Sequence, residues 1–165
     1  MRDIPDFPEE GVVFKDITPV LADPGALAEL IGSLADPFLN QGITKVAGIE
    51  ARGFTLATPV ARRLDAGFIP LRKPGKLPYD TVREEYDLEY GTDALEIHTD
   101  AVGDGERVLL VDDVIATGGT AAAAIRLLRR VGAEVTGFSV FIELVSLGGA
   151  DKIDGVPIHA LLRYD

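Results

Sequence analysis

Val108-Leu109-Leu110-Val111-Asp112-Asp113-Val114-Ile115-Ala116-Thr117-Gly118-Gly119-Thr120 is the stretch on which the reading of this chain turns. After Arg107 its first four residues are continuously apolar, as in a strand covered on both faces within a parallel sheet. Two acids follow, then a turn of small residues, and from about Ala121 to Val131 the apolar spacing is helical, closed by Gly132. Strand, glycine turn and helix together suit a phosphate. The glycines let the backbone fold around it, and threonine hydroxyls and the free N–H groups of the helix's first turn donate to it. Asp112 and Asp113 would repel phosphate, so they face sugar hydroxyls or a hydrated Mg²⁺ shared with the ligand's oxygens. A phosphorylated sugar meets both demands.

Working outward, Asp23-Pro24-Gly25 ahead of an apolar-periodic run predicts a helix with Asp23 as N-cap and Pro24 at its first position, running to about Gly42. Lys45-Val46-Ala47-Gly48-Ile49 reads as a buried strand. A Glu50-Ala51-Arg52-Gly53 turn, a helix from Phe54 to Leu64 and a strand from Phe68 to Leu71 follow it. Pro74 to Asp87 is polar, with Gly75 and Pro78 and no helical period, and predicts a long loop with strand-like margins around Tyr86–Tyr90 and Ala94–His98. Val135 to Ile142 and Ile158 to Leu162 supply the last strands. Alternation of this kind predicts a single α/β domain over residues 1–165, doubly wound about a mainly parallel sheet, with ligands at the carboxyl ends of the strands.

The 165 residues include 16 basic and 27 acidic side chains, a net charge of −11, and no cysteine. Zinc ribbons, iron–sulfur clusters and thiol chemistry are thereby excluded. No apolar stretch approaches the roughly 20 residues of a membrane span, and the start, Met1-Arg2-Asp3-Ile4-Pro5, has no apolar secretory core, so the expectation is a cytoplasmic protein without a membrane partner. The acidity argues against a nucleic-acid partner. Within it, the segment from Arg52 to Lys76 holds six basic residues against one acid, Asp65, and is a candidate anion site. His98 and His159 have no second ligand at a metal-site spacing and read as structural or surface residues.

The cradle resembles the phosphoribosyl-pyrophosphate (PRPP) binding motif of type I phosphoribosyltransferases. Flanking markers narrow the resemblance to the adenine-specific members: Phe7-Pro8, Gly11-Val12-Val13-Phe14-Lys15-Asp16-Ile17-Thr18-Pro19, Gly48-Ile49-Glu50-Ala51-Arg52-Gly53-Phe54, Arg72-Lys73-Pro74-Gly75-Lys76-Leu77-Pro78, Leu88-Glu89-Tyr90-Gly91 and Glu143-Leu144. This resemblance implies transfer of a 5-phosphoribosyl group from PRPP to N9 of adenine with Mg²⁺, giving AMP and pyrophosphate. The Mg²⁺ is expected through PRPP and water, with no direct protein ligand. It also implies a small hood from about residues 1–22, a mobile lid loop over about 77–94, and a homodimer. Many relatives carry a further N-terminal helix where six residues precede Phe7 here, which implies a trimmed hood or dimer edge.

The resemblance assigns roles residue by residue. Ala116, Thr117, Gly118, Gly119 and Thr120 hold the 5′-phosphate, and Asp112 and Asp113 face the ribose hydroxyls. Glu50, Ala51, Arg52 and Gly53 form the pyrophosphate loop, with a cis peptide between Glu50 and Ala51 turning backbone N–H groups to the leaving group. Arg52 neutralises pyrophosphate, Arg72, Lys73 and Lys76 add charge, and the Arg72 position reaches across the dimer interface. Glu89 and Tyr90 match the lid's catalytic pair, the glutamate approaching N7 of adenine. Val13 and Lys15 read the N1 and N6 edge through their backbone, with Phe14 near the ring; Lys15 stands where Arg is common. The rival reading, a PRPP-sensing regulator on nucleic acid, wants a basic face or a helix-turn-helix, and the sequence displays neither.

Overall fold

A computed structural model describes residues 1–87 and 91–165. Its first elements are Arg2–Pro5 (β1) and Val13–Asp16 (β2), which pair antiparallel with Asp3 opposite Lys15 and Ile4 opposite Phe14. They form a ribbon of their own, and neither strand contains a fully buried residue. A five-residue helix, Thr18–Ala22 (α1), leads to Pro24–Ala35 (α2). Asp23 caps α2 as expected, its carboxylate accepting the Ala26 N–H at 2.7 Å. The helix stops at Ala35, short of Gly42, and continues only as a 3₁₀ turn over Asp36–Phe38. Pro37 has no N–H with which to extend the ladder.

Lys45–Ile49 (β3) is the strand read from the sequence, and Arg52–Arg63 (α3) and Gly67–Leu71 (β4) follow it. Arg107–Ile115 (β7) is longer than its apolar core, because Glu134–Leu144 (β8) is long enough to pair with it as far as Ile115 opposite Glu143. Asp112 and Asp113 therefore belong to the strand and do not follow it. Gly119–Arg130 (α4) begins two residues earlier than predicted, and Ile158–Tyr164 (β9) closes the sheet. The five strands β4-β3-β7-β8-β9 are all parallel.

Residues 81–87 differ most from expectation. Where a loop over Pro74–Asp87 was expected, Thr81–Asp87 (β5) is a strand; it pairs antiparallel with Thr92–His98 (β6), which covers the strand-like margin read at Ala94–His98, in a hairpin fastened to the main sheet by a backbone bridge between Arg72 and Glu96. Its inner face is part apolar, with Tyr86, Leu95 and Ile97 buried, and part ionic, with Glu84 bound to Arg126 at 2.7 Å and Arg130 at 2.8 Å on α4. The arginines hold the Glu84 carboxyl below its ordinary range. An acid at an inward position hides the alternation that normally betrays a strand.

The sheet is the middle of three layers. From β7, Val108 and Leu110 pack with α4 and the hairpin on one face, while Leu109 and Val111 pack with α2 and α3 on the other. This period-two division is what a strand buried on both sides requires. No helix among the described residues is long and apolar enough to cross a membrane.

Candidate functional site

The carboxyl ends of β3 and β7 open into a cavity of about 430 Å³. Its walls are Glu50, Ala51 and Arg52 from the β3–α3 turn, Lys73 after β4, and the run from Asp112 through Ala121. Two segments read separately in the sequence, the phosphate cradle and the pyrophosphate loop, thus face one space. Gly118 adopts φ +77°, a left-handed conformation that favours glycine, and so turns the chain into the first helical residue of α4. The N-terminal N–H groups of that twelve-residue helix border the cavity, an environment suited to phosphate.

The cradle has a second support that no local motif announces. Gly149, thirty residues downstream, is pressed against it. A Cβ on Gly149 would overlap the Ala116 carbonyl oxygen and approach the Gly118 nitrogen to 2.8 Å, and a Cβ on Gly118 would overlap the Gly149 carbonyl. The only sequence signal is the Gly148-Gly149 pair itself, which reads as an ordinary turn.

Asp113 is buried and forms an ion pair with Arg52, its Oδ2 at 2.7 Å from Nε. Asp112 accepts the Asp113 backbone N–H at 2.9 Å, and burial together with the neighbouring Asp113 charge raises its carboxyl well above the ordinary value. Gly53, in the first turn of α3, makes room for it: a Cβ there would stand 2.7 Å from Asp112 Oδ1. The Glu50–Ala51 peptide is cis, as the resemblance implies.

Each remaining cation of the anion site is held by an acid. Glu50 accepts from Arg72 Nε at 3.0 Å and Lys76 Nζ at 2.5 Å; burial opposes its charge, but these bonds outweigh it and keep the carboxyl below its usual range. Lys73 contacts Asp93 and donates to Tyr86 Oη at 2.8 Å, joining the cavity wall to the hairpin. Burial works against the Lys73 ammonium, and the Asp93 and Tyr86 bonds still raise its pKa. Arg72 and Lys76 stand behind Glu50 and do not line the cavity. Within one chain Arg72 serves its own Glu50.

A second cavity, about 180 Å³, adjoins the first and shares Arg52, Asp113, Val114 and Ala116 with it. Val12, Val13, Phe14 and Lys15 of the ribbon form one side, and Ile142 and Leu144 of β8 another. Arg52 lies over the Phe14 ring, 5.0 Å from its centroid. A small, mostly apolar slot suits a heteroaromatic base. The predicted trio Val13, Phe14 and Lys15 is gathered here; the apolar wall from β8 was not foreseen, although Glu143-Leu144 was among the markers. Glu89 and Tyr90 lie outside the described residues.

A glycine-turn helix start facing two acids, with a base-sized slot alongside, is the site plan of a phosphoribosyl-transferring enzyme. In keeping with it, the phosphoribosyl transferase domain profile matches residues 19–155, and the chain belongs to that family. The adenine phosphoribosyltransferase of Thermobifida fusca is 59% identical over 161 residues, spanning 98% of this chain and 92% of that protein. The crystal structure of the Rhodothermus marinus adenine phosphoribosyltransferase superposes with a TM-score of 0.94 at 56% identity, covering 99% of this chain and 93% of that one. The Saccharomyces cerevisiae enzyme, complexed with an imino-altritol bisphosphate and adenine, gives a TM-score of 0.93 at 38% identity over 98% of this chain and 93% of that one. The chain is a member of the adenine phosphoribosyltransferases.

Proposed function

We propose that this chain transfers the 5-phosphoribosyl group of PRPP to N9 of adenine, giving AMP and pyrophosphate in purine salvage. The observation that carries the reading is the junction of the two cavities at Arg52 and Asp113, where a phosphosugar in the larger and a base in the smaller meet. The bond from the anomeric carbon to pyrophosphate breaks as the bond to N9 forms, through a transition state with oxocarbenium character. Catalysis there consists largely of holding nucleophile and leaving group in line and stabilising the departing charge.

Ala116 to Thr120 and the start of α4 hold the 5′-phosphate, while Asp112 and Asp113 accept from the ribose hydroxyls. Backbone N–H groups of the Glu50–Gly53 turn and the Arg52 guanidinium receive pyrophosphate, with Lys73 adding positive charge on the cavity wall and Arg72 and Lys76 adding it from behind Glu50. One N–H and one C=O from Val13 and Lys15 meet N1 and N6 of adenine; a 6-oxopurine presents the opposite polarity, and each unpaired group costs about 1–3 kcal/mol. Glu89 delivers a hydrogen bond or proton to N7, Tyr90 orders the reacting centre, and the β5–β6 hairpin covers PRPP against water.

Asp112 and Asp113 are too few for a protein cage, so Mg²⁺ would be held through PRPP and water with no direct protein ligand, where it would neutralise pyrophosphate charge. The working form is a cytoplasmic homodimer. The test is pyrophosphate release from PRPP and Mg²⁺ with adenine, hypoxanthine, guanine and xanthine compared. Release with adenine alone, with AMP formed, is expected; release only with a 6-oxopurine overturns the base site, and no release with any base overturns the transfer.

A further inference from the structure

The ribbon that reads the base is poorly anchored by ordinary means. β1 and β2 hydrogen-bond to each other and contain no fully buried residue, and Val13 is 51% exposed, so the nearest apolar anchor of this edge is the buried Ile17, just beyond β2. Side chains alternate across a strand, which sends Phe14 and Lys15 to opposite faces of the ribbon. Each face meets a cation–π contact with the body of the domain. On one, Arg52 lies over Phe14; on the other, the Lys15 ammonium lies 4.3 Å from the centroid of the Tyr164 ring at the end of β9.

We infer that Lys15 and Tyr164 clamp the ribbon, making Tyr164, which lines neither cavity, a positioning residue for adenine. Lys15 is well placed for this. Its side chain is only 17% exposed, and Asp3, its partner across the ribbon, accepts from the ammonium at 2.9 Å and fixes its direction. Tyr164 is itself held by the sheet, opposite Leu144, a wall residue of the slot. The clamp thereby ties the backbone of Val13 and Lys15 to the wall they face. Partial desolvation of the ammonium strengthens an attraction that would be weak in open water.

The inference rests on the proposed adenine slot, and the experiment separates the two. Steady-state kinetics are measured for the parent chain and for Tyr164→Leu, Tyr164→Phe and Lys15→Met, each with a thermal melt. Tyr164→Leu and Lys15→Met are expected to raise the KM for adenine about three- to tenfold while kcat and the KM for PRPP stay within about twofold. Tyr164→Phe, which keeps the ring, is expected to match the parent. An unchanged adenine KM in Tyr164→Leu overturns the clamp, as does an equal rise in both KM values or a Tyr164→Phe as impaired as Tyr164→Leu. A parent that does not turn over adenine overturns the slot itself, and the clamp with it.

Discussion

Arg52 Nε lies 2.7 Å from Asp113 Oδ2 where the two cavities meet, so a cation assigned to pyrophosphate and an acid assigned to ribose hold each other. On the proposed assignment, both turn to their ligands as PRPP enters. The pair pre-aims the guanidinium and gives the buried Asp113 carboxylate a partner, which an unpaired charge at this depth would lack. Asp113→Asn is expected to raise the KM for PRPP about ten- to a hundredfold through the weakened ribose contact. Arg52→Gln is expected to lower kcat about a hundredfold by removing charge at the leaving group. Because the two side chains touch, the double variant should lose less than the sum of the single losses, which a double-mutant cycle on kcat/KM measures.

Asp112 predicts a trade between stability and binding. Its carboxyl titrates well above the ordinary 3.8, owing to burial and the Asp113 charge. Between those two values the folded chain binds more protons at this group than the unfolded one, so its contribution to stability falls as pH rises through that window. Asp112→Asn removes the penalty. The variant's melting temperature should exceed the parent's at neutral pH, the gap narrowing as pH falls towards 3.8, while its KM for PRPP rises about tenfold. Calorimetry across pH, paired with kinetics, checks both halves.

The sequence was most legible where burial is continuous. β3 and the core of β7 declare themselves as apolar runs, and the acids, glycines and threonines after Val111 declare the cradle, because their chemistry is local. The first strand of the hairpin, β5, was hidden by Glu84, an acid on an inward face whose partners, Arg126 and Arg130, are more than forty residues away. The ribbon was hidden by brevity, its two strands having four residues each and no buried position to set a period. Glu50 is an acid within an anion site, and only the fold explains it, by turning the side chain towards Arg72 and Lys76.

Glu89 carries a prediction from its place in the chain, within the connection between Asp87 and Thr92, the last paired residues of the hairpin. Glutamine there keeps a hydrogen-bond donor but has no acidic proton to deliver. Glu89→Gln should therefore lower kcat about a hundredfold while the KM for PRPP changes less than about twofold. An unchanged kcat would reduce Glu89 to a covering role, and pre-steady-state turnover is the measurement that decides.

Gly149 tests whether the cradle's shape is imposed from outside its own sequence. The Ala116 carbonyl and Gly118 nitrogen leave no room for a Cβ on Gly149, so Gly149→Ala must push the phosphate loop away from its observed path. Displacements of this kind at a substrate-positioning loop are costly, and the KM for PRPP is expected to rise about ten- to a hundredfold with the KM for adenine little changed. Gly148→Ala is the control. Gly148 has φ +62°, so alanine strains the same turn, yet its Cβ would meet only the Asp151 side chain, at 3.7 Å. That variant should melt at a lower temperature and keep the parent's KM for PRPP. If both variants lose stability and neither changes the KM, the approach of Gly149 is packing alone; a KM effect confined to Gly149→Ala makes this glycine part of the phosphate site.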